Sequence, residues 1–339
     1  MKNTIKIFLV SLLLIISILS CSNNKKEENI NSLVIYTPAT RFFIDRLVEE
    51  FGKKNPDINV EIIIAGTAEI IKRIEAEKND PLGDIFFAAN ENILKYNSEL
   101  FQEYVTTNYD NIYEDYRSKE KYITGFMLSP SVLIINTNLI KDIKVEGYAD
   151  LLNPALKGQI AFNDPTTSSS SFEQLVNMLY AMGNGNPENG WDYVEKLYAN
   201  LDGKLLSSSS AVYKGVADNE YAVGLTFESA AANYIHTGSP IDVIYMKEGV
   251  LTKAHSMAII KNAKNLENAK KFVDFVTSYD AQKIINDELF TRAIIKSLEG
   301  SQILMPLENI NDIKEDEEMV DKNKEAWLEK FKNIVTAGI

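Results

Sequence analysis

The chain alternates short apolar runs with segments whose apolar residues recur at helical spacing, beginning at residue 33. Strands are predicted at 33–36, 59–64 and 84–88, with helices between them at 42–51 and 68–77. Strands that alternate with helices in this way are typical of parallel sheets covered on both faces. A mostly extended stretch at 122–136, with Pro130 in its middle, interrupts the pattern.

The alternation resumes after this stretch. Strands are predicted at 159–162, 221–226, 241–245 and 256–260, and helices at 171–182, 189–200, 228–236, 266–277, 281–289 and 322–335. Two such sections joined by extended segments predict an α/β protein of two lobes, each a sheet flanked by helices, with a ligand cleft between them. A chain of 339 residues is long enough for two buried cores.

The first 21 residues are typical of an export signal. Lys2 and Lys6 precede an apolar or hydroxyl run at 7–20 that ends directly before Cys21. A membrane-spanning helix needs about 20 apolar residues, so 1–20 is interpreted as a signal peptide. The sequence Ile-Leu-Ser-Cys at 18–21 resembles a bacterial lipobox, which predicts lipidation of Cys21 and a flexible tether at 21–32. The alternative is an ordinary signal peptide with an incidental cysteine.

Acidic residues outnumber basic ones by 48 to 35, which gives a net charge of −13, or −15 once Lys2 and Lys6 leave with the signal peptide. So acidic a surface argues against nucleic-acid binding and against broad adhesion to an anionic membrane. Cys21 is the only cysteine and the chain has two histidines. An intramolecular disulfide is therefore excluded, and neither a Cys/His zinc site nor a cofactor is expected.

Loops rich in hydroxyl and small residues follow four predicted strands, where ligands of open α/β sheets bind. The loops 37–41, 65–67 and 88–91 contribute the candidate ligand-binding residues Thr37, Thr40, Arg41, Thr67 and Asn90. The loop 163–171 opens a helix with six consecutive hydroxyl residues, including Thr166, Thr167, Ser168 and Ser169. One hydroxyl suffices to cap a helix, and free N–H groups at a helix N-terminus attract anions. We therefore expect an oxyanion site; the alternative is a serine-rich surface loop capped by Ser170 or Ser171.

Two further places are open between structural and binding roles. The serine run 207–210 precedes the helix that contains Tyr213, a further candidate ligand-binding residue, and it either caps that helix or lines the same cleft. Thr226 ends a strand and Glu228 starts a helix, where the carboxylate either stabilises the helix or pairs with a ligand ammonium or a metal. The sequence has no G-x-S-x-G, H-E-x-x-H or phosphate-loop motif. We therefore expect no enzyme, and a secreted hydrolase is the less favoured class.

Several stretches resemble the extracytoplasmic solute-binding proteins of ABC importers, in the group with ferric-ion, 2-aminoethylphosphonate and sugar-phosphate binders. They are LVIYTPAT, GDIFFAANEN, YADLLNPALKGQIAFNDPTTSSSS, AVGLTFESAAANYIHTGSPIDVIYMKEG and NLENAKKFVDFVTSYDAQ. The resemblance implies a class-II periplasmic-binding fold, a membrane permease with its ATPase as partners, a monomer and an extracytoplasmic location. We expect lobe 1 at 33–128 with 250–310, lobe 2 at 129–249, and a helical tail at 311–339 packed on the lobes.

The resemblance also implies site residues for a phosphonate or a sugar phosphate. Glu228 would contact an amine or hydroxyl, and the phosphorus oxyanion would be contacted by Thr37, Thr40, Thr167, Ser168, Ser169 and Thr226. Ferric-ion binders of the group usually hold the metal with two adjacent tyrosines in the segment that matches 225–233, which reads LTFESAAAN here. Ferric iron is therefore the alternative cargo. Because Fe³⁺ favours oxygen ligands, its candidate ligands are Tyr36, Tyr213, Tyr234, Tyr245 and Glu228.

Overall fold

The computed structural model describes residues 31–300 and 304–338. The predicted signal peptide and Cys21 lie outside these residues. The first elements are β1 (Ser32–Thr37), α1 (Arg41–Lys54), β2 (Asn59–Ile64), α2 (Thr67–Glu77), β3 (Ile85–Asn90), α3 (Glu91–Tyr96) and β4 (Phe101–Gln102). The strands and helices predicted between residues 33 and 88 are thus confirmed to within three residues at each end.

The later elements extend from a long strand to a long C-terminal helix. They are β5 (Thr124–Asn136), β6 (Ile160–Ala161), α4 (Ser169–Met182), α5 (Trp191–Asn200), α6 (Ser209–Ala217), β7 (Val223–Phe227), α7 (Glu228–His236), β8 (Ile241–Ile244), β9 (Val250–Ile260), α8 (Leu266–Val276), α9 (Tyr279–Asp287), β10 (Asp312–Ile313) and α10 (Glu317–Ala337). Strand β9 begins six residues before its predicted start, and α10 begins five residues before. In the described parts of the chain, we find no helix with the length and apolar character needed to cross a membrane.

The strands form one mixed sheet in the order β2-β1-β3-β9-β5-β7-β6. Strand β1 pairs in parallel with β2 and β3, and β6 pairs in parallel with β7. The long strands β5 and β9 are antiparallel to each other, and also to β7 and β3 respectively. The expectation of parallel sheets therefore holds at both ends and is wrong at the centre. Antiparallel neighbours need no crossover helix between them, so β5 and β9 can run from one end of the sheet to the other.

Both faces of β1 carry apolar side chains. Leu33 and Ile35 are fully buried in a core built with α1, α8 and α9. Tyr36 points to the opposite face and packs with Ile70 of α2 and Leu94 of α3, because successive side chains of a strand alternate between faces. We call this part of the molecule lobe 1.

A second core lies at the other end of the sheet. Leu133 of β5 and Phe162 after β6 pack there with Leu179 of α4 and with residues of α5 and α10. The ring of Phe331 in α10 contacts Phe162 edge-on, with ring centroids 6.3 Å apart. We call this part lobe 2, and α10 completes its core. The predicted helical tail therefore packs on lobe 2, as part of its interior.

The early start of α10 follows from its cap. Asp316 accepts a hydrogen bond from the Met319 N–H at 3.0 Å, and Glu317 and Glu318 occupy the first turn. Carboxylates are favourable at a helix N-terminus because they oppose its positive dipole end. The acidic run before residue 322 thus begins the helix, although it has no apolar periodicity that would predict this.

Strands β5 and β9 belong to both lobes. Met127 of β5 and Met257 of β9 pack in the lobe 1 core. Leu133 lies later in β5 and Leu251 lies earlier in β9, and both pack in the lobe 2 core. The two lobes are therefore joined by a pair of continuous antiparallel strands.

Candidate functional site

Helix α4 starts at the carboxyl end of β6 with a serine cap. The Ser168 Oγ accepts a hydrogen bond from the Ser171 N–H at 3.4 Å and lies 3.1 Å from the Ser170 Oγ. Ser168 is therefore the cap, rather than Ser170 or Ser171. The hydroxyls of Ser168 and Ser170 stand together at the helix N-terminus, where backbone N–H groups lack helical partners.

Helix α6 starts in the same way. The Ser208 Oγ accepts from the Ala211 N–H at 3.2 Å and lies 3.1 Å from the Ser210 Oγ. The second serine run thus caps its helix through Ser208 and adds the Ser210 hydroxyl beside the cap. Both runs contain consecutive serines, which is the sequence signal for the repeated arrangement.

Asn163 ties the two helix starts together. Its Nδ2 donates to the Leu206 carbonyl at 2.7 Å, directly before the second serine run, and its Oδ1 accepts from the Ser171 Oγ at 2.9 Å. Asn163 is fully buried, so its amide fixes the positions of both runs. Sequence reasoning missed this positioning role, since Asn163 looked like one more polar residue of the loop.

Thr226 lies at the adjoining end of β7. Its side chain is buried, and within the described residues its Oγ1 has no hydrogen-bond partner. The neighbouring α4 holds this strand end, because the Gln174 Nε2 donates to the carbonyls of Val132 and Thr226. A buried hydroxyl without a partner costs about 1–3 kcal/mol, which a ligand atom at this position would offset.

Glu228, the first residue of α7, is engaged by other protein groups. Its carboxylate accepts from the Arg292 Nε at 2.8 Å and from the Arg292 Nη2 at 2.6 Å, and the Tyr245 hydroxyl donates to it at 2.5 Å. Burial raises the pKa of Glu228, and the hydrogen bonds and charge of Arg292 oppose that rise. The Glu228 carboxylate therefore has protein partners in the structure, and its contact with a ligand amine or hydroxyl stays a prediction.

In lobe 1, three candidates lie at the carboxyl end of β1 and the start of α1. Thr37 is buried, and its Oγ1 accepts from the Ala39 N–H at 3.0 Å. Thr40 is exposed and caps α1 by accepting from the Phe43 N–H. Arg41 is also exposed and forms an ion pair with Asp45 one turn further along α1. These contacts leave the Arg41 guanidinium accessible to solvent.

The two remaining lobe 1 candidates follow the neighbouring strands. Thr67 is the first residue of α2, after β2, and is half-buried. Asn90 ends β3 and caps α3 by accepting from the Asn92 N–H at 2.9 Å. Its Nδ2 donates to the Glu173 Oε1 of α4 at 3.0 Å. Asn90 and Glu173 therefore bring the strand-end edge of lobe 1 next to α4 of lobe 2.

The other residues of the first hydroxyl run differ in their surroundings. Thr166 and Thr167 are exposed, and their hydroxyls donate to the side chain and the carbonyl of Asp164. Ser169 is exposed in the first turn of α4. The structure therefore pairs the hydroxyls of Ser168 and Ser170 and those of Ser208 and Ser210, whereas the hydroxyls of Thr166 and Thr167 bond to Asp164.

The candidate iron ligands are divided. Tyr36 packs in lobe 1 and donates to the Glu77 carboxylate at 2.8 Å. Tyr213 and Tyr234 pack against each other in lobe 2, with ring centroids 5.6 Å apart, and Tyr245 donates to Glu228. Burial raises the pKa of Tyr213 and of Tyr234, which disfavours the phenolate form that binds iron. Across residues 31–300 and 304–338, no cluster of three or more His, Cys, Asp or Glu side chains is arranged to hold a metal.

A family model described as bacterial extracellular solute-binding protein matches residues 33–290. The chain belongs to that family. The match covers β1 to α9 and stops before α10, although α10 completes the core of lobe 2 in this solute-binding protein.

The chain is also similar to individual known proteins and solved structures. An uncharacterised protein of Haemophilus influenzae is 25% identical over 262 residues, which are 74% of each chain. A structure described as a two-component system protein that mediates signal transduction is 30% identical, covers 84% of this chain and 94% of its own, and superposes with a TM-score of 0.73. The periplasmic binding protein AfuA of Actinobacillus pleuropneumoniae, with fructose-6-phosphate bound, is 24% identical over 90% of this chain and 98% of its own, with a TM-score of 0.79.

These similarities confirm the predicted fold class. The fold, a mixed sheet with flanking helices, matches that of periplasmic binding proteins such as AfuA. In this solute-binding protein, the strand ends of lobe 2 carry two serine-capped helices and a buried, unpartnered hydroxyl. This edge is the candidate ligand site.

Proposed function

We propose that this protein is the solute-binding component of an ABC importer and that it captures a small oxyanionic solute, a phosphonate or a sugar phosphate, between its lobes. The observation that carries the proposal is that Asn163 joins the starts of two serine-capped helices, while the buried Thr226 Oγ1 at the end of β7 has no partner among the described residues. N–H groups at a helix N-terminus and serine hydroxyls are donors suited to phosphoryl oxygens.

Local donors are needed because the overall charge opposes an anion. The net charge of −13 produces a field that repels anionic solutes at long range. Within a cleft that excludes water, however, fixed donors act over hydrogen-bond distances and are screened far less. The neutral donors of α4 and α6 would therefore bind an oxyanion that the outer surface does not attract.

Closure of the lobes would complete the site. We propose that lobe 1 contributes Thr37, Thr40, Arg41, Thr67 and Asn90 from its own strand ends, and that β5 and β9 act as the hinge. The predicted lobe boundaries at residues 128 and 250 fall in these two strands. A ligand that bridges both lobes favours the closed state by its extra contacts in that state.

We also propose how the protein is placed and what it works with. Lipidation of Cys21 would anchor the chain outside the cytoplasm through the tether at 21–32, and a permease with its ATPase would receive the solute. Binding and release need no chemical step, so we propose no enzymatic activity. A monomer with one cleft is sufficient for this role.

Titration calorimetry with 2-aminoethylphosphonate, fructose-6-phosphate, inorganic phosphate and ferric citrate tests the proposal. We expect at least one phosphoryl compound to bind with one-to-one stoichiometry and to be recovered unchanged by ³¹P NMR. Binding of none of them would refute the oxyanion function. Binding of iron with a visible tyrosinate-to-iron absorption band would establish the alternative cargo, and conversion of a phosphate ester would establish a hydrolase.

A pair of serine substitutions locates the site. Ser168→Ala with Ser208→Ala should weaken phosphoryl binding by about 1–3 kcal/mol, the cost of leaving polar groups unpaired. Ser278→Ala is the matched control, since Ser278 caps α9 of lobe 1 by accepting from the Ala281 N–H. Equal effects of the two changes on affinity would mean that the serine runs are only caps.

The similarity to the two-component system protein supports a second candidate function. That relative is 30% identical over most of this chain, so the closed form could be recognised by a membrane sensor instead of a permease. Uptake of labelled solute in a deletion strain separates the two roles. Loss of uptake favours the importer, whereas normal uptake with loss of a transcriptional response favours the sensor.

A further inference from the structure

A buried ion pair connects the start of α7 with a segment far away in the sequence. Arg292 lies in the segment after α9, where its carbonyl accepts from the Leu128 N–H at 3.0 Å. Its side chain and that of Glu228 are 9% and 1% exposed. The guanidinium donates through Nε and Nη2 to the Glu228 carboxylate at 2.8 and 2.6 Å. Such two-point contact uses the planar fork of arginine, which lysine lacks.

Glu228 lies close along the chain to the candidate ligand site. It is two residues from Thr226, and the intervening Phe227 packs against Tyr213 of α6 with ring centroids 6.2 Å apart. At a pH where it stays ionised, an uncompensated carboxylate at this buried position would repel a phosphoryl group strongly, because charges in a low-dielectric interior are poorly screened. The positive charge of Arg292 cancels it at contact distance.

The same segment contacts the other end of α7. The ring of Phe290 packs against that of His236, with centroids 4.3 Å apart, while Arg292 holds Glu228 at the helix start. The segment at 290–292 thus touches both ends of α7. This makes Arg292 part of a fixed support, and not a mobile surface charge.

We propose that Arg292 is a specificity-determining positioning residue, which neutralises and holds Glu228 so that the corner formed by α4, α6 and α7 accepts an anion. This inference rests on the proposed oxyanion function. According to this inference, Arg292, which lies outside the two serine runs, determines whether the site accepts a negatively or a positively charged ligand. Without Arg292, the same corner would favour a cation or a neutral solute.

Three variants test this with the phosphoryl compound that the wild-type protein binds most tightly in the calorimetric panel. Arg292→Met should weaken binding at least about tenfold, because Glu228 becomes uncompensated. Glu228→Gln should leave affinity equal or tighter, since it removes a negative charge. The double variant should return to within about threefold of wild type. Arg46→Met is the matched control, because it removes the same charge from an ion pair with Glu288 in lobe 1.

The opposite signs of the two single variants distinguish the proposal from a merely structural role. If the pair only supports the fold, both single variants should weaken binding and lower the melting temperature together. That result, or an Arg292→Met affinity equal to that of Arg46→Met, would overturn the inference and leave the oxyanion function standing. Absence of any phosphoryl binding by the wild-type protein would overturn both. If Arg292→Met fails to fold, the double variant compared with Glu228→Gln still tests the proposal: without the carboxylate, loss of Arg292 should change affinity by less than about threefold, and a larger loss would overturn it.

Discussion

Removal of the Phe331 side chain should destabilise lobe 2 selectively. Phe331 is 2% exposed and packs edge-on against the rings of Phe162 and Tyr198. Phe331→Ala removes this buried ring and leaves a cavity, a change that costs about 3–5 kcal/mol in protein cores. The helix that carries Phe331 lies beyond the family match at 33–290. The substitution therefore tests whether α10 is part of the folded core or an appended tail.

The chain offers a probe that is specific to this core. Its two tryptophans, Trp191 and Trp327, are both buried in lobe 2. Tryptophan fluorescence during urea unfolding therefore follows lobe 2, whereas far-UV circular dichroism follows the helices of both lobes. At about 3 kcal/mol per molar urea, the expected loss lowers the fluorescence midpoint by about 1–2 M.

The matched control is Lys332→Ala, one residue further along the same helix. Lys332 is exposed, and among the described residues its side chain pairs only with Glu329 on its own helix. Its removal should therefore change the free energy of unfolding by less than about 0.5 kcal/mol. A Phe331→Ala loss below about 1 kcal/mol, or one equal to that of the control, would refute the idea that α10 completes the lobe 2 core.

Two further predictions concern lobe 1 and pH. Asp84 is buried and accepts hydrogen bonds from the Val34 N–H at 2.8 Å and from the Asn265 N–H at 3.0 Å. Asp84→Asn should lower the free energy of unfolding of lobe 1 by about 1–3 kcal/mol, measured by circular dichroism. The unfolding transition of lobe 2, measured by tryptophan fluorescence, should not change. Burial lowers the pKa of His255, so the unfolded chain takes up its proton more readily and stability should fall as the pH drops below about 6.5. His255→Gln should flatten this acid-side loss in melting temperature. An unaltered pH profile in this variant would contradict the assignment.

Local patterns predicted the elements of the fold well because most of them bury one regular face. The strand at 59–64 and the helix at 228–236 have the predicted bounds. Strand β9 was predicted too short because Lys253 and His255 interrupt its apolar run. Both residues lie where the strand passes between the two lobes, and there a strand need not bury an apolar face. The start of α10 was predicted too late for a similar reason: its first residues are acidic capping residues, which add no apolar periodicity.

The candidate site was predictable only where its signal is local. Consecutive serines before a helix indicate a crowded helix N-terminus, and the structure has such a start at both α4 and α6. The partner of Glu228 could not be predicted, because Arg292 is 64 positions away and no periodicity connects the two. Asn163 was missed for a related reason: its importance lies in a contact with Leu206, which only the folded sheet brings close.

The placement of the late segments has a consequence for the order in which the protein can be completed during synthesis. The core of lobe 1 includes Phe272 and Ile285, and the core of lobe 2 includes Trp327 and Phe331. A chain that emerges from its N-terminus therefore lacks part of the lobe 1 interior until α8 and α9 appear, and part of the lobe 2 interior until α10 appears. Domains usually fold as units once their segments are available. Premature compaction of either half is thereby delayed until these late helices have been made.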